Sequence, residues 1–216
     1  MSASSDLRES ICMFARSLHE RGLTHGSTGN ISARTPDGGL LVTPTGSSFM
    51  TLDPARLSQF DAAMNLVGGD RPTKEMPLHR AFYDTRSTAG AIVHLHSCHS
   101  VALSMMPDAN EDDFLPHLTP YPIMKLGRVK LLPYFMPGDA AIGEAIRGLA
   151  GKRSAVMLAN HGPVVAGKDL EAAVYAIEEL EASAQLAMMT RGLGPKALSG
   201  DQVRQLVETF DVEWDA

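Results

Sequence analysis

The stretch AIVHLHS (91–97) places two histidines one residue apart in an otherwise apolar run. Its isoleucine, valine and leucine predict a buried strand. Side chains alternate between the two faces of a strand, so His94 and His96 point the same way and Leu95 points the other way. Two buried imidazoles on one face need partners for their ring nitrogens. A bound metal ion could be a shared partner, and separate hydrogen bonds to backbone carbonyls are the alternative.

A third histidine ends a second apolar run. SAVMLAN (154–160) has the composition of a central strand, and His161 follows it directly, before a predicted Gly-Pro turn at 162–163. Functional groups often lie where strands open into loops. Three histidines without a fourth committed ligand match the donor set of a catalytic zinc site, which keeps one position open. Imidazole also suits Mn²⁺ and Co²⁺, so the pattern leaves the identity of the divalent metal open.

The other histidines are expected to be surface residues or core residues that form hydrogen bonds. They are His19, His25, His79, His99 and His117, of which His25 and His99 are candidates for lining a pocket.

Composition limits the class of protein. The chain has 216 residues, 44% of them hydrophobic, and a formal net charge of −6. This predicts one globular domain over residues 1–216 and argues against general binding to nucleic acid, which needs a basic face. Cys12 and Cys98 are expected to be free thiols. The segment MSASSDLRES (1–10) lacks the features of a signal peptide, and no apolar run is long enough for a membrane span, so a cytoplasmic location is expected.

Hydrophobic periodicity predicts helices interleaved with strands, and therefore a layered α/β or α+β domain with helices packed on a mixed sheet. Helices are predicted over 5–21, 76–85, 97–105, 139–149 and about 169–189, with a short one near the C-terminus and one helical turn at 53–57. Strands are predicted around 31–34, 39–45, 59–69, 90–96 and 154–160, and near 129–134, where the Pro-rich segment 106–138 is otherwise expected to be loop.

An acidic residue and two loops complete the candidate site. Glu75 ends the segment RPTKE (71–75) just before a predicted helix, where it could be a helix-capping acid or a general acid/base. The loops HGSTGNIS (25–32) and TPTGSS (43–48) offer hydroxyls and backbone N–H groups. They could be ordinary turns or an anion-binding nest for phosphate. Neither has the spacing of a P-loop or a dinucleotide fingerprint.

Taken in order, GLTHGSTGNIS, TPTG, PTKE, HLHS and NHGPVVAG resemble the class II aldolase/adducin-head family over nearly the whole chain. The resemblance implies a central mixed, largely antiparallel sheet covered by helices on both faces. It implies Zn²⁺ or another divalent ion held by His94, His96 and His161. It also implies that Glu75 is the acid/base and ligates the metal when no substrate is bound. The residues implied to bind substrate phosphate are Thr28, Gly29, Asn30, Thr45, Gly46, Thr73 and Lys74.

Family members are typically homotetramers with active sites near subunit interfaces. The resemblance therefore implies a homotetramer that takes a small phosphorylated sugar acid. From the net charge and the lack of a long apolar run, neither nucleic acid nor membrane is expected as a partner. Candidates for holding the substrate carboxylate are Lys74, Lys125, Arg128 and His25.

Within the family, TPTGSSF with DPARLS, and PYPIMKLGRVKLLPYFMPGD, look most similar to members that decarboxylate 3-oxo-tetronate 4-phosphate. Sugar-phosphate aldolases of the family often carry a tyrosine near the C-terminus that protonates the departing aldehyde. The tail FDVEWDA (210–216) has none, although Tyr121 of a neighbouring subunit could serve instead. The alternatives are a fuculose- or ribulose-type ketose 1-phosphate aldolase, an epimerase or dehydratase on the same fold, and a non-catalytic adducin-like interaction module. The last alternative predicts a degraded site.

Overall fold

A computed structural model describes residues 3–214, with side chains described from residue 6 onward. Met1 and Ser2 of the segment examined for a signal peptide, and Asp215 and Ala216 of the tyrosine-free tail, lie outside the described residues. The strands are β1 (Asn30–Arg34), β2 (Leu40–Val42), β3 (Ser58–Phe60), β4 (Leu66–Gly68), β5 (Ala91–His94), β6 (Lys130–Leu132), β7 (Ala155–Leu158) and β8 (Gly162–Gly167). The helices are α1 (Ala3–Glu20), α2 (Met76–Thr85), α3 (Cys98–Ser104), α4 (Pro120–Leu126), α5 (Ala140–Gly148), α6 (Leu170–Thr190) and α7 (Gly200–Thr209), with short 3-10 turns at Phe49–Thr51 and Pro54–Arg56.

The strands within residues 3–214 form one sheet in the order β4-β3-β2-β1-β5-β8-β7-β6. All neighbouring strands are antiparallel except β6 and β7, which run parallel. The predicted mixed, largely antiparallel sheet is therefore confirmed. Its centre is β5, which pairs with β1 on one side and β8 on the other.

Both faces of the sheet are covered by helices, as predicted. Val93 of β5 packs in one apolar cluster with Ile11 of α1 and Ile177 of α6. The adjacent residue Ile92 faces the opposite way and packs with Leu78 of α2 and further residues of α5. This is the alternation expected of a strand buried on both faces.

Three stretches differ from the sequence-based predictions. The single strand predicted over 59–69 is wrong, because β3 and β4 form a hairpin there. The Asp61 carboxylate accepts hydrogen bonds from the backbone and side-chain amides of Asn65 and closes the turn. The helix α4 lies inside the predicted loop 106–138. Proline is tolerated in a first helical turn, where the backbone N–H groups have no partner within the helix, so Pro120 does not prevent it.

The third difference concerns the segment after β7. The predicted Gly-Pro turn at 162–163 is wrong, because these residues begin β8 and pair with β7. The reversal of the chain instead occurs at 159–161, where Asn160 adopts a φ of 58°. Asparagine is one of the few non-glycine residues that take this left-handed conformation readily. His161 is thereby held in a tight hairpin turn between two central strands.

Cys12 and Cys98 are free thiols, in agreement with the sequence. Among the described residues, no helix combines the length and apolar character needed to cross a membrane.

A buried carboxylate of α6 anchors the start of α3, two residues after His96. Glu181 accepts hydrogen bonds from the backbone N–H groups of His99 and Ser100 at 2.8 and 2.9 Å, and its Oε1 atom lies 2.9 Å from Nδ1 of His99. Charged acceptors of this kind contribute more to stability than neutral ones. They tie α3, and therefore the chain leaving β5, to the long helix α6.

Replacing Glu181 with glutamine should destabilise the protein by about 2 kcal/mol, because the amide nitrogen would face an N–H donor that is buried with it. In a chain of this size we expect Tm to fall by roughly 4–8 °C. Glu178→Gln, one turn earlier on α6, is the matched control because its partner Arg21 is half exposed. That change should cost less than about 1 kcal/mol. Equal shifts in Tm by calorimetry would contradict the assigned role of Glu181.

Candidate active site

Four side chains from three separate segments of the sequence meet at one end of the central strands. His94 ends β5, His96 follows two residues later, His161 lies in the β7–β8 turn, and Glu75 immediately precedes α2. One ligand atom from each residue can be chosen so that all lie within 4.8 Å of one another. Nε2 of His94 and Nε2 of His96 are 3.1 Å apart. The Glu75 carboxylate lies 3.3 Å from Nε2 of His94 through Oε2 and 3.2 Å from Nε2 of His161 through Oε1.

Glycine makes this convergence possible. A Cβ atom at Gly162 would lie only 1.9 Å from the backbone oxygen of Leu95. The β7–β8 turn can therefore approach the segment between His94 and His96 only because residue 162 has no side chain. Gly29 has a φ of +83°, and its Cβ position is 3.0 Å from the backbone oxygen of His94. The loop before β1 is brought against the same site for the same reason.

The histidines have the arrangement that a divalent metal requires. Nδ1 of His94 lies 2.9 Å from the carbonyl oxygen of Pro163, which can only accept, so Nδ1 carries the proton and Nε2 is free to present a lone pair. Within residues 3–214, both ring nitrogens of His161 and Oε1 of Glu75 are buried without a hydrogen-bond partner. Buried polar atoms of this kind are costly to leave unpaired, and a cation would satisfy Nε2 of His161 and Oε1 of Glu75 together. The residues present therefore fit a divalent metal.

The pKa values reflect the crowding of these groups. Burial raises the pKa of Glu75, but the charge of His94 and the contacts with His161 and His94 outweigh it and hold the pKa well below its usual range. Burial lowers the pKa of His94, but the neighbouring Glu75 carboxylate and the Pro163 carbonyl reverse this and raise it. Burial and the charges of His94 and His161 lower the pKa of His96 to about 3. The site thus favours an ionised Glu75 beside positive charge, whether proton or cation.

The alternative that Glu75 is only a helix-capping acid is not what the structure shows. Glu75 occupies the N-cap position of α2, but its side chain forms no capping hydrogen bond. Its Oε2 atom instead accepts a hydrogen bond from Nδ2 of Asn30 at 2.7 Å. Asn30 is paired with His94 across the β1–β5 ladder, so the sheet register places the amide beside the imidazoles.

The two small-residue loops border one pocket together with Glu75, His96 and His161. All seven residues implied to bind phosphate line it, namely Thr28, Gly29, Asn30, Thr45, Gly46, Thr73 and Lys74, and they are joined by Ser27, Pro44 and Pro137. The pocket has a volume of about 260 Å³, a size that suits a small molecule. His94 is fully buried behind it.

Four residues were candidates for holding the substrate carboxylate. Lys74 lines the pocket, whereas His25, Lys125 and Arg128 are not among the described residues that line it. Arg128 stacks on the ring of Trp214, with its guanidinium carbon 4.9 Å from the ring centroid. Tyr121 is 57% exposed on α4 and is not among the described residues that line the pocket.

Sequence reasoning expected His79 to be a surface residue or a core residue that forms hydrogen bonds, and the second form is confirmed, because His79 is fully buried on α2 and hydrogen-bonded to Asn30. Its link through Asn30 to Glu75 was not predicted. The available signal was the spacing of four residues between Glu75 and His79, which puts both side chains on one face of a helix.

Comparison with known proteins gives consistent similarities. The sequence model described as "Class II Aldolase and Adducin N-terminal domain" matches residues 9–188. A 3-oxo-tetronate 4-phosphate decarboxylase of Cupriavidus necator is 43% identical over 218 residues, covering 99% of this chain and 100% of that protein. The crystal structure of YgbL, a putative aldolase/epimerase/decarboxylase from Escherichia coli, superposes with a TM-score of 0.92 at 39% identity, covering 95% of this chain and 99% of that one. An L-fuculose 1-phosphate aldolase structure superposes with a TM-score of 0.83 at 26% identity, covering 98% of each chain.

Proposed function

Because the chain belongs to the class II aldolase and adducin N-terminal domain family, we propose that it is a metal-dependent 3-oxo-tetronate 4-phosphate decarboxylase, a carbon-carbon lyase that forms dihydroxyacetone phosphate and carbon dioxide. The observation that carries the proposal is the position of Glu75. It lies against two histidines of a three-imidazole cluster and borders a pocket whose other walls are hydroxyl- and amide-rich loops. That combination supplies a proton donor, a cation site and an anion site within reach of one small substrate.

Substrate phosphate is bound by the loops at 27–30 and 44–46 and by Thr73 and Lys74. These provide backbone N–H groups, hydroxyls and one ammonium group, which are suitable partners for a phosphate dianion. The phosphate is remote from the bond that breaks. Its binding energy is therefore available to hold the carbon chain in a reactive orientation.

The metal ligands are His94, His96 and His161, with Glu75 as a fourth ligand when substrate is absent. A bound Zn²⁺, or another divalent ion such as Mn²⁺ or Co²⁺, would supply Lewis-acid stabilisation of the negative charge that develops on the substrate oxygens.

Glu75 delivers the proton that completes the reaction. Breaking the C1–C2 bond releases carbon dioxide and leaves the bonding electron pair at C2, where it is delocalised toward the C3 carbonyl as an enediolate. Glu75 is ionised in the empty site, so it takes up a proton from solvent when substrate displaces it from the position of fourth ligand. It then gives this proton to C2, which produces dihydroxyacetone phosphate. One proton is consumed in each turnover. Asn30 holds the carboxyl group in place during the transfer.

An aldolase would form the same enediolate from a different leaving group, so the site residues alone do not separate the two reactions. The higher identity to the Cupriavidus necator decarboxylase than to the L-fuculose 1-phosphate aldolase favours decarboxylation. Purified protein should convert 3-oxo-tetronate 4-phosphate to dihydroxyacetone phosphate and carbon dioxide, and a chelator should stop the reaction. Release of a trapped aldehyde from fuculose or ribulose 1-phosphates, with no carbon dioxide from the sugar acid, would replace the proposal with an aldolase.

Thr45→Val should raise KM for the phosphorylated substrate about tenfold, which corresponds to roughly 1.4 kcal/mol of lost hydrogen bonding. We expect kcat to change less than threefold because the other six residues assigned to phosphate binding remain to hold the carbon chain in its reactive orientation. Thr51→Val is the matched control, since Thr51 borders the adjacent groove and not the active-site pocket. Steady-state kinetics of both variants test the assignment. An unchanged KM in Thr45→Val would remove this hydroxyl from phosphate binding.

We also propose that the protein acts as a single-domain, cytoplasmic homotetramer. The support for self-association is a set of large apolar side chains that the isolated chain leaves at least half exposed, among them Tyr121, Tyr134, Met136, Met189 and Leu193. Light scattering after size exclusion would measure the assembly, and a monomer would contradict it.

A further inference from the structure

A continuous chain of hydrogen bonds leads from Glu75 into the protein interior, away from the pocket. Nδ2 of Asn30 donates to Oε2 of Glu75 at 2.7 Å, and Oδ1 of Asn30 is 2.5 Å from Nε2 of His79. Nδ1 of His79 is 2.7 Å from the hydroxyl of Ser32, which is 3.0 Å from the hydroxyl of Tyr83. All five side chains are buried, and His79 and Ser32 are fully buried. Solvent water therefore cannot replace most of the hydrogen bonds in this series.

The donor and acceptor groups of these five side chains fix the direction of every hydrogen bond in the series. A carboxylate can only accept, so Asn30 must turn its Nδ2 atom toward Glu75 and its Oδ1 atom toward His79. Oδ1 is also only an acceptor, so Nε2 of His79 must carry a proton. Burial, with a smaller contribution from the charge of His94, lowers the pKa of His79 to about 3, so the ring is neutral. The lone pair on Nδ1 therefore accepts a hydrogen bond from the Ser32 hydroxyl. The Ser32 hydroxyl then accepts from Tyr83. Every donor in the chain points toward Glu75.

We propose that His79 is a positioning residue of the reaction, which fixes the Asn30 amide so that Glu75 is held by Oε2 and presents Oε1 to the substrate. The proposal rests on the role of Glu75 in the proposed function. Oε2 is occupied by its hydrogen bond with Asn30 and lies beside the fully buried His94. Oε1 has no hydrogen-bond partner among the described residues and lies beside His161, which lines the pocket. A proton on Oε2 would collide with the N–H group of Asn30, so the transferable proton resides on Oε1. His79 determines this choice because it prevents the amide from turning over.

A purely structural role for His79 makes a different prediction. If His79 only forms hydrogen bonds with its buried neighbours, replacing it should lower folding stability. The rate of proton transfer should then be unchanged in the protein that remains folded. A positioning role predicts a loss in kcat at unchanged metal content and nearly unchanged KM. It also predicts that a side chain with an N–H group in the place of Nε2 restores the rate.

His79→Gln and His79→Asn form the matched pair. The glutamine amide nitrogen reaches the position of Nε2 and can donate to Asn30, whereas the asparagine amide is one methylene shorter and reaches only the position of Nδ1. The assay is exchange of the hydroxymethyl hydrogens of dihydroxyacetone phosphate with D₂O, followed by NMR in the metal-loaded protein. This exchange reports proton transfer at the carbon that Glu75 serves, and it does not depend on whether the leaving group is carbon dioxide or an aldehyde.

We expect wild-type protein and His79→Gln to exchange one of the two hydrogens at rates within about threefold of each other. His79→Asn should be roughly 10- to 100-fold slower, with loss of selectivity between the two hydrogens and KM within about threefold. Metal content and Tm are measured on each variant. In wild-type protein, ¹⁵N shifts should identify His79 as the Nε2–H tautomer, which tests the direction of the chain without any variant.

Equal exchange rates in the two variants, or an Nδ1–H tautomer in the wild type, would overturn the proposal. If His79→Asn does not fold, the tautomer measurement and the His79→Gln rate still decide it. Wild-type protein that exchanges the hydrogen but releases no carbon dioxide from 3-oxo-tetronate 4-phosphate would refute the proposed decarboxylation and leave the role of His79 intact.

Discussion

Glu75→Gln is expected to lower kcat by about 10³-fold or more while the protein keeps its metal. A positioned general acid typically contributes between about 10²- and 10⁴-fold, and an amide has no proton of suitable acidity to deliver to C2. Glutamine has nearly the shape of glutamate, and its side-chain oxygen can still accept the hydrogen bond from Asn30. The variant therefore removes the transferable proton with little change in packing.

Measuring kcat, metal content and Tm together distinguishes the roles of Glu75. The three histidines remain in Glu75→Gln, so elemental analysis should find a metal content close to that of the wild type. Glu144→Gln on the exposed face of α5 makes the same chemical change away from the site and should leave all three quantities unchanged. Near-wild-type turnover in Glu75→Gln would exclude Glu75 from the mechanism. Loss of metal along with activity would show that its main role is ligation.

Local patterns in the sequence predicted most of the fold. The alternation in β5 and the helical periodicity of α6 both act over a few residues and are confirmed. The errors occur in segments whose secondary structure depends on contacts with residues far away in the sequence. The segment 162–167 contains glycine and proline, which usually indicate a turn, yet it is a strand because β5 and β7 flank it on both sides. The α4 helix was missed because its prolines obscure a helix that is stabilised by packing against α6 and α7.

The candidate site shows the same division between local and distant information. The His-x-His spacing indicated that two imidazoles share one face, although the strand itself ends at His94. That His161 joins them depends on the antiparallel pairing of β5 with β8, which no local pattern specifies. Likewise, the contact between Asn30 and Glu75 depends on the register that pairs Asn30 with His94. The resemblance identified the residues of the pocket. The hydrogen bonds through His79 depend on the packing of α2 against β1, which no local sequence pattern specifies.

His94→Gln and His161→Gln should each reduce bound metal to below about one tenth of an equivalent per chain and abolish turnover. Each imidazole supplies one of three nitrogen ligands, and glutamine offers only a weakly donating amide oxygen in its place. Loss of the ligand should also remove the stabilisation that metal gives the folded state. Metal at 100 times its Kd would stabilise wild-type protein by about 2.7 kcal/mol, or a rise in Tm of roughly 5–10 °C, and neither variant should show this rise.

The control for this prediction is His19→Gln in the last turn of α1, which makes the same substitution outside the four-residue cluster. It should retain metal, activity and the metal-dependent rise in Tm, so it measures any contribution from adventitious binding to other histidines. His94 is held by the Pro163 carbonyl, and His161 by the close backbone approach at Gly162, where an added Cβ would lie 1.9 Å from the Leu95 oxygen, so we expect no other side chain to replace a lost ligand. Elemental analysis that finds undiminished metal in both ligand variants would therefore place the metal elsewhere in the protein. Carbon-carbon cleavage could then no longer be assigned to this cluster.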